Sequence, residues 1–201
     1  MTKVKICGIR RIEDVAYVNT YKPEYIGFVF APGRKRTVTF EQAHLLKTRL
    51  SNDIKVVGVF VNAKQEEIVS LVNAGVIDII QLHGDEDERY VASLREKTAG
   101  VSIIKAFVID NEAAIVRANA FPCDYLLLDG GLGQGEKFDW KLISKMERPF
   151  FLAGGLSADN VNEAIKTTKP FAVDVSSGVE TEGFKDSKKI KHFIDKVREE
   201  I

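Results

Sequence analysis

Eight short apolar segments recur along the chain, and they constrain its fold more than any other feature. Each segment is rich in Val, Ile, Leu or Phe and is apolar almost throughout instead of alternating, which is typical of parallel strands covered on both faces. The segments are Val4–Cys7, Tyr25–Phe30, Lys55–Val61, Ile77–Leu82, Ser102–Phe107, Asp124–Leu128, Phe150–Ala153 and Phe171–Val175. The pattern predicts an α/β fold built on a parallel sheet.

The segments between the predicted strands have the spacing of amphipathic helices. Thr39, with Gln42 three residues later, fits a capping box at one helix start, and Ser157 offers a cap at another. The clearest helical segments are Phe40–Leu50, Gln65–Asn73, Asp159–Lys166 and Ser187–Glu200.

Eight strands and about as many helices in 201 residues predict a compact (β/α)₈ barrel of the TIM type. The whole chain, residues 1–201, is expected to form this single domain, because no linker or low-complexity segment interrupts it. An open doubly wound sheet is the structural alternative. No G-x-G-x-x-G follows the first strand, so that alternative lacks its usual phosphate-binding motif.

Composition excludes several classes of function. Lys and Arg together number 29, as do Asp and Glu, so no basic field indicates a nucleic-acid partner. The apolar runs are far shorter than the roughly 20 residues of a membrane span, and the start lacks a signal-peptide pattern. With two cysteines and no C-x-x-C, we expect a cytoplasmic protein with reduced thiols. No His or Cys spacing predicts a metal site.

Polar residues at the ends of the predicted strands are the candidates for chemistry, since these ends form the catalytic face of such barrels. Cys7 ends the first strand and Asp129 the sixth, and a thiol facing a carboxylic acid suits proton transfer to and from a small substrate. A modest lowering of the Cys7 pKa from about 8.5 would make it a workable base. Alternatively, Cys7 is a buried packing residue and Asp129 a turn residue before Gly130.

Two loops predict a phosphate site. The segment A-G-G-L-S-A-D-N-V places Gly154 and Gly155 between the seventh strand and a helix start, and D-V-S-S-G-V-E places Ser177 and Gly178 after the eighth. Backbone N–H groups at a helix N-terminus bind phosphate, and barrels often hold phosphate between these two loops.

Other polar residues divide into site candidates and packing residues. His83 follows the fourth strand and is expected to contact substrate, and Arg36 follows the second and suits a carboxylate. Four residues are expected to pack or lie on the surface, away from the chemistry: Cys123, His44, His192 and Trp140.

The motifs resemble the phosphoribosylanthranilate isomerase family of tryptophan biosynthesis. The matching motifs are K-I-C-G-I-R, G-F-V-F-A-P, V-G-V-F-V-N, Q-L-H-G-D-E, L-L-L-D-G-G, F-L-A-G-G-L and V-D-V-S-S-G-V-E-T-E-G-F-K-D, in order from Lys5 to Asp186. The resemblance implies an Amadori rearrangement of N-(5-phosphoribosyl)anthranilate without a cofactor. The implied partner is a small-molecule substrate, and the chain is expected to be a monomer or homodimer.

The resemblance also implies roles for individual residues. Asp129 is the general acid that opens the ribose ring, and Cys7 is the general base that removes the C2′ proton. Arg36 holds the anthranilate carboxylate, with Arg34 as the alternative because this chain has R-K-R-T-V where the family often has S-P-R. His83 and Asp174 line the pocket.

The resemblance assigns the loops of Gly154, Gly155, Ser177 and Gly178 to the ribose phosphate. The glycine-rich segment Gly130–Lys137 is expected to be mobile and to close over the substrate. Another phosphate-binding barrel isomerase or epimerase, and a non-catalytic ligand-binding barrel, are the alternative functions. Neither alternative accounts as well for a Cys and an Asp at these two strand ends.

Overall fold

The chain forms a closed barrel of eight parallel strands, as the sequence predicts. The computed structural model describes residues 1–130, 140, 143 and 146–199. Each strand pairs with the next, and β8 pairs with β1 to close the barrel. The strands are β1 (Lys3–Cys7), β2 (Tyr25–Val29), β3 (Lys55–Phe60), β4 (Ile79–Leu82), β5 (Ser102–Val108), β6 (Tyr125–Asp129), β7 (Phe150–Ala153) and β8 (Ala172–Val175).

Seven α-helices lie in the described part of the chain, in the connections that the sequence assigns to helices. They are α1 (Ile12–Tyr21), α2 (Phe40–Lys47), α3 (Gln65–Asn73), α4 (Glu88–Lys97), α5 (Glu112–Ala120), α6 (Val161–Thr168) and α7 (Ser187–Arg198). A short antiparallel hairpin of β9 (Glu180–Thr181) and β10 (Phe184–Lys185) precedes α7. None of the described helices is long and apolar enough to cross a membrane.

Helix α2 begins where its capping box predicts. Thr39 Oγ1 accepts a hydrogen bond from the Gln42 N–H, and Gln42 Oε1 accepts one from the Thr39 N–H. The helix ends at Lys47 instead of the predicted Leu50, because the N–H of Leu50 donates to the Lys47 carbonyl three residues back. The last predicted turn is therefore tighter than an α-helix.

Helix α6 begins at Val161, two residues later than predicted. Ser157 Oγ accepts from the Asp159 N–H, and Asn160 Oδ1 accepts from the Ser157 N–H. These short-range bonds form a turn that competes with the helix, so Asn160 occupies the cap position expected for Ser157.

The start of β4 also differs from the prediction. The strand begins at Ile79, not at Ile77. Before it, Asp78 Oδ2 accepts a hydrogen bond from the Val56 N–H and forms an ion pair with Lys47 Nζ, each at 2.8 Å. Asp78 therefore ties the chain before β4 to the start of β3 through its carboxylate and also through its N–H, which donates to the Val56 carbonyl at 2.8 Å.

The packing closes the barrel interior at one end. One apolar cluster lies between strands and helices, and a second fills the interior. Tyr25 packs edge-on against Phe151 with ring centroids 5.4 Å apart, and Tyr125 stacks on Phe171 at 5.0 Å. All four rings lie at or near the beginnings of their strands, so the carboxyl ends of the strands are left for polar groups.

Candidate active site

A two-lobed cavity opens at the carboxyl ends of the strands, where the sequence predicts the site. One lobe, of about 450 Å³, is lined by Asp129 and Asp174 together with the phosphate-loop candidates. The other, of about 610 Å³, is lined by the loop that carries Arg36. The two lobes share Cys7, Val59, His83 and Ser176. Eight of the nine predicted site residues thus line one continuous space, and Gly178 adjoins it.

Cys7 lies between the lobes, above a buried ion pair. Lys5, on the same strand face two residues earlier, donates to Asp174 Oδ2 at 2.8 Å, and Lys5 is fully buried. Burial raises the pKa of the Cys7 thiol, and the nearby Lys5 ammonium opposes this without cancelling it. The direction is opposite to the lowering expected from the sequence, because desolvation of the thiolate outweighs the attraction of Lys5.

The partners of Lys5 keep it charged inside the barrel. Burial alone would lower the pKa of Lys5, but Asp174 and Cys7 act in the other direction and the net effect is a raised pKa. A positive charge is therefore fixed beneath the thiol.

His83 and Asp129 face each other across the cavity. His83 Nε2 lies 3.7 Å from Asp129 Oδ2, and the Gln81 amide nitrogen lies 3.0 Å from His83 Nδ1. This contact orients the imidazole so that its Nε2 edge is turned toward the Asp129 carboxyl.

Two buried acceptor oxygens line the same lobe without a partner among the described residues. They are Oε1 of Gln81 and Oδ1 of Asp174. As whole residues, Gln81 is 1% exposed and Asp174 is 9% exposed. Buried acceptors are nearly always satisfied, so such a pair is suited to hydroxyl groups of a bound molecule.

Arg36 is held at the mouth by Glu180. Its Nε and Nη2 donate to the two carboxylate oxygens of Glu180, each at 2.7 Å. These bonds raise the pKa of Arg36. For Glu180, burial acts to raise the pKa, but the bonds from Arg36 and Lys185 lower it. Arg34 lines the same lobe but is exposed, and its side chain bonds to no described residue, so the geometry favours Arg36 over Arg34.

The phosphate-loop candidates come together as predicted. Gly154 and Gly155 have φ of +92° and +61°, and these left-handed turns direct the chain from β7 over the cavity. The N–H groups of Gly155 and Ser177 donate to no described residue, so both are available to an anion. Gly178 packs its Cα side against the Leu156 carbonyl, where a Cβ would overlap it, and this contact joins the two loops.

The residues assigned to packing roles lie outside the cavity. Cys123 is buried beside the start of β6 and donates to the Tyr125 carbonyl, while His44 and His192 lie on α2 and α7. Trp140 packs against the apolar core. Of the predicted closing segment Gly130–Lys137, residues 131–137 lie outside the described residues. Among the described residues, no three His, Cys, Asp or Glu side chains are grouped to hold a metal ion.

Sequence reasoning missed three charged residues of the site: Lys5 and Lys185 near the thiol, and Glu180 beside Arg36. Lys5 stands in a strand read as apolar, yet it shares the alternation of Cys7 and so faces the interior. That spacing was the available signal. Glu180 and Lys185 lie in a hairpin that the sequence pattern did not predict.

Comparison with known proteins shows the family to which this sequence belongs. The model of the N-(5'-phosphoribosyl)anthranilate (PRA) isomerase family matches residues 4–196. The chain belongs to the phosphoribosylanthranilate isomerase family. It is 47% identical over 201 residues to the N-(5'-phosphoribosyl)anthranilate isomerase of Thermoanaerobacter pseudethanolicus, and the match covers 98% of each chain.

Solved structures of the family share the fold over nearly the full chain. The phosphoribosyl anthranilate isomerase of Thermotoga maritima superposes with a TM-score of 0.87 at 38% identity, covering 98% of this chain and 99% of that one. A further family structure, solved in complex with reduced 1-(o-carboxyphenylamino)-1-deoxyribulose 5-phosphate, gives 0.86 at 36% identity with the same coverage. The resemblance read from the motifs is therefore confirmed, and the chain is an enzyme of this family.

Proposed function

We propose that this enzyme converts N-(5-phosphoribosyl)anthranilate into 1-(2-carboxyphenylamino)-1-deoxyribulose 5-phosphate, an isomerisation of tryptophan biosynthesis. The observation that carries the proposal is the convergence of Cys7, Asp129 and Arg36 on one cavity, between loops suited to phosphate. Family membership and the printed names of the relatives support the same substrate.

The proposed chemistry needs one acid and one base. Asp129 donates its proton to the ribose ring oxygen, and the C1′–O bond breaks to give an iminium ion. The positive nitrogen acidifies the neighbouring C2′–H, so the Cys7 thiolate removes that proton and the electrons neutralise the iminium. The resulting enol becomes the ketone when its hydroxyl proton moves to C1′, and transfer of a proton from the Cys7 thiol to the Asp129 carboxylate returns both groups to their starting state.

The two lobes suggest how the substrate lies. The phosphate would bind at the N–H groups of Gly155 and Ser177, close to the start of α6. The ribose hydroxyls would donate to the unpaired oxygens of Gln81 and Asp174. The anthranilate ring would occupy the second lobe, with its carboxylate on Arg36.

A fluorescence assay tests the proposal. Phosphoribosylanthranilate is generated in situ, and loss of its anthranilate fluorescence is followed with wild type, with Cys7→Ala and with Cys123→Ala as the matched control. We expect rapid decay with wild type and the control, and a loss of kcat of about 10³-fold or more for Cys7→Ala. No decay with wild type would refute the assignment and turn the search to other sugar phosphates. Full activity of Cys7→Ala would refute only the role of Cys7.

A further inference from the structure

Glu180 holds two cations from different elements. Its Oε1 accepts hydrogen bonds from Arg36 Nε and Lys185 Nζ, each at 2.7 Å, and its Oε2 accepts from Arg36 Nη2. The Glu180 side chain is 8% exposed and that of Lys185 is 1% exposed. Because three donors fix it inside the β9–β10 hairpin, this carboxylate is a rigid support and not a flexible surface partner.

Lys185 ties the same hairpin to the catalytic strand ends. It donates to the Ser176 carbonyl at 2.9 Å, and Ser176 Oγ in turn donates to the Cys7 carbonyl at 3.0 Å. Glu180 is thereby linked to the backbone of Cys7 through three successive hydrogen bonds, by way of Lys185 and Ser176.

The Arg36 stem is fixed as well. It lies against Gly8, where a Cβ would overlap Arg36 Cδ, and Gly8 has a φ of +85° that also favours glycine. Arg36 is thus held by Gly8 at its stem and by Glu180 at its guanidinium, and it lines the same lobe as Cys7. An arginine whose rotamers are already fixed loses little entropy when it binds a ligand.

The two hydrogen bonds from Arg36 to Glu180 use only one edge of the guanidinium. Nε and Nη2 are occupied, and Nη1 bonds to no described residue. The edge formed by Nη1 and the second hydrogen of Nη2 can therefore receive another carboxylate in the same bidentate geometry. Arg36 lines the 610 Å³ lobe assigned above to the aromatic ring.

We propose that Glu180 is a positioning residue, which acts through Arg36 to make the enzyme select substrates with a carboxylate on the aromatic ring. This inference rests on the proposed function and adds to it the residue that sets its aryl specificity. Glu180 also repels a second carboxylate, but Arg36, Glu180 and Lys185 together carry one net positive charge. The field on the free edge of Arg36 therefore remains attractive.

Binding of two ligands tests the inference without relying on turnover. The first is reduced 1-(o-carboxyphenylamino)-1-deoxyribulose 5-phosphate, and the second is its analogue with a plain phenyl ring. The ratio of their Kd values by calorimetry gives the carboxylate preference. Two variants separate geometry from charge: Glu180→Asp keeps the charge but shortens the reach, and Glu180→Gln keeps the shape but removes the charge.

We expect the carboxylate preference to fall about tenfold in both variants, while the Kd of the phenyl analogue stays within about threefold of wild type. A preference that is undiminished in either variant would overturn the inference, and a tighter carboxylate complex with Glu180→Gln would show that repulsion dominates. Glu24→Gln, which loosens the ion pair with Arg198 at the opposite end of the barrel, where the strands begin, is the matched control and should change neither Kd.

A double variant covers the case in which the single variant does not fold, and the wild-type activity assay separates this inference from the proposed function. If Glu180→Gln does not fold because Lys185 is left buried without its carboxylate, Glu180→Gln/Lys185→Met removes both charges and serves for the same comparison. The fluorescence assay on wild type separates the two proposals. Activity with an unchanged preference refutes only the role of Glu180, whereas inactivity of wild type refutes the proposed reaction.

Discussion

Lys5 Nζ lies 2.8 Å from Asp174 Oδ2 inside the barrel, and neither side chain is more than 8% exposed. Breaking such a pair leaves a buried charge without compensation, so we expect Lys5→Met to lower the free energy of unfolding by about 3–5 kcal/mol. Urea unfolding measures this loss. Lys5→Met/Asp174→Leu removes both charges and should recover most of the stability without restoring activity. A single variant as stable as wild type would contradict the reasoning.

The reactivity of Cys7 should increase well into the alkaline range. Burial raises the pKa of this thiol, so its thiolate fraction at neutral pH is smaller than that of a free cysteine. In a Cys123→Ser background, the alkylation rate with iodoacetamide should rise with pH, and its midpoint should lie above that of a free cysteine. Lys5 lowers the pKa of Cys7, so adding Lys5→Met should move the midpoint higher. A wild-type midpoint below that of a free thiol would show that the Lys5 charge, and not burial, has the larger effect on the Cys7 pKa.

Gln81→Met should separate stability from activity. The substitution removes a buried carbonyl oxygen that lacks a partner among the described residues, and this offsets the lost contact with His83. We expect the melting temperature to stay the same or to rise slightly, while kcat/KM falls about tenfold or more because a ribose hydroxyl loses its acceptor. Calorimetry and the fluorescence assay measure the two effects. Unchanged kcat/KM would show that this oxygen does not contact substrate.

Gly178→Ala should weaken phosphate binding. A Cβ at this position would overlap the Leu156 carbonyl oxygen, which is backbone and cannot turn aside, so the loops after β7 and β8 must separate. We expect KM to rise about tenfold with a smaller change in kcat, because the phosphate lies far from the reacting carbon. Gly100→Ala is the control, since its φ of +84° strains an alanine but no atom lies near the added Cβ. An equal change in KM for both variants would indicate general destabilisation.

The barrel was predictable because its signal is repeated eight times. Continuous apolar strands and helical spacing both recur, so an error of two residues at α6 or β4 does not change the topology. The positions of the candidate site residues followed from the same reasoning, since Cys7 and Asp129 each end a strand and His83 directly follows one. The fold predicted where the active site lies, at the carboxyl ends of the strands, and the chemistry of the residues there indicated which of them are candidates for catalysis.

The electrostatic environment of the site was not predictable in the same way. A lysine inside an apolar strand was read with its neighbours, and its effect on Cys7 depends on Asp174, which is 169 positions away in sequence. The direction of the Cys7 pKa shift depends on which of two opposing effects is larger, burial or the Lys5 charge. Such a comparison requires three-dimensional distances, which residue spacing does not contain.

The division of the cavity into two lobes has an evolutionary consequence. Cys7, the proposed base, lies at the junction that both lobes share, and Asp129 lines the lobe formed mainly by the loops of Gly155 and Ser177. The loop of Arg36 contributes only to the other lobe. Mutations in the β2–α2 loop can therefore alter which group on the substrate nitrogen is accepted, while the proposed phosphate-binding loops of Gly155 and Ser177 stay unchanged. Substitutions in this one loop would thus be enough for a descendant enzyme to prefer a different aromatic substituent, with Cys7 and Asp129 left unchanged.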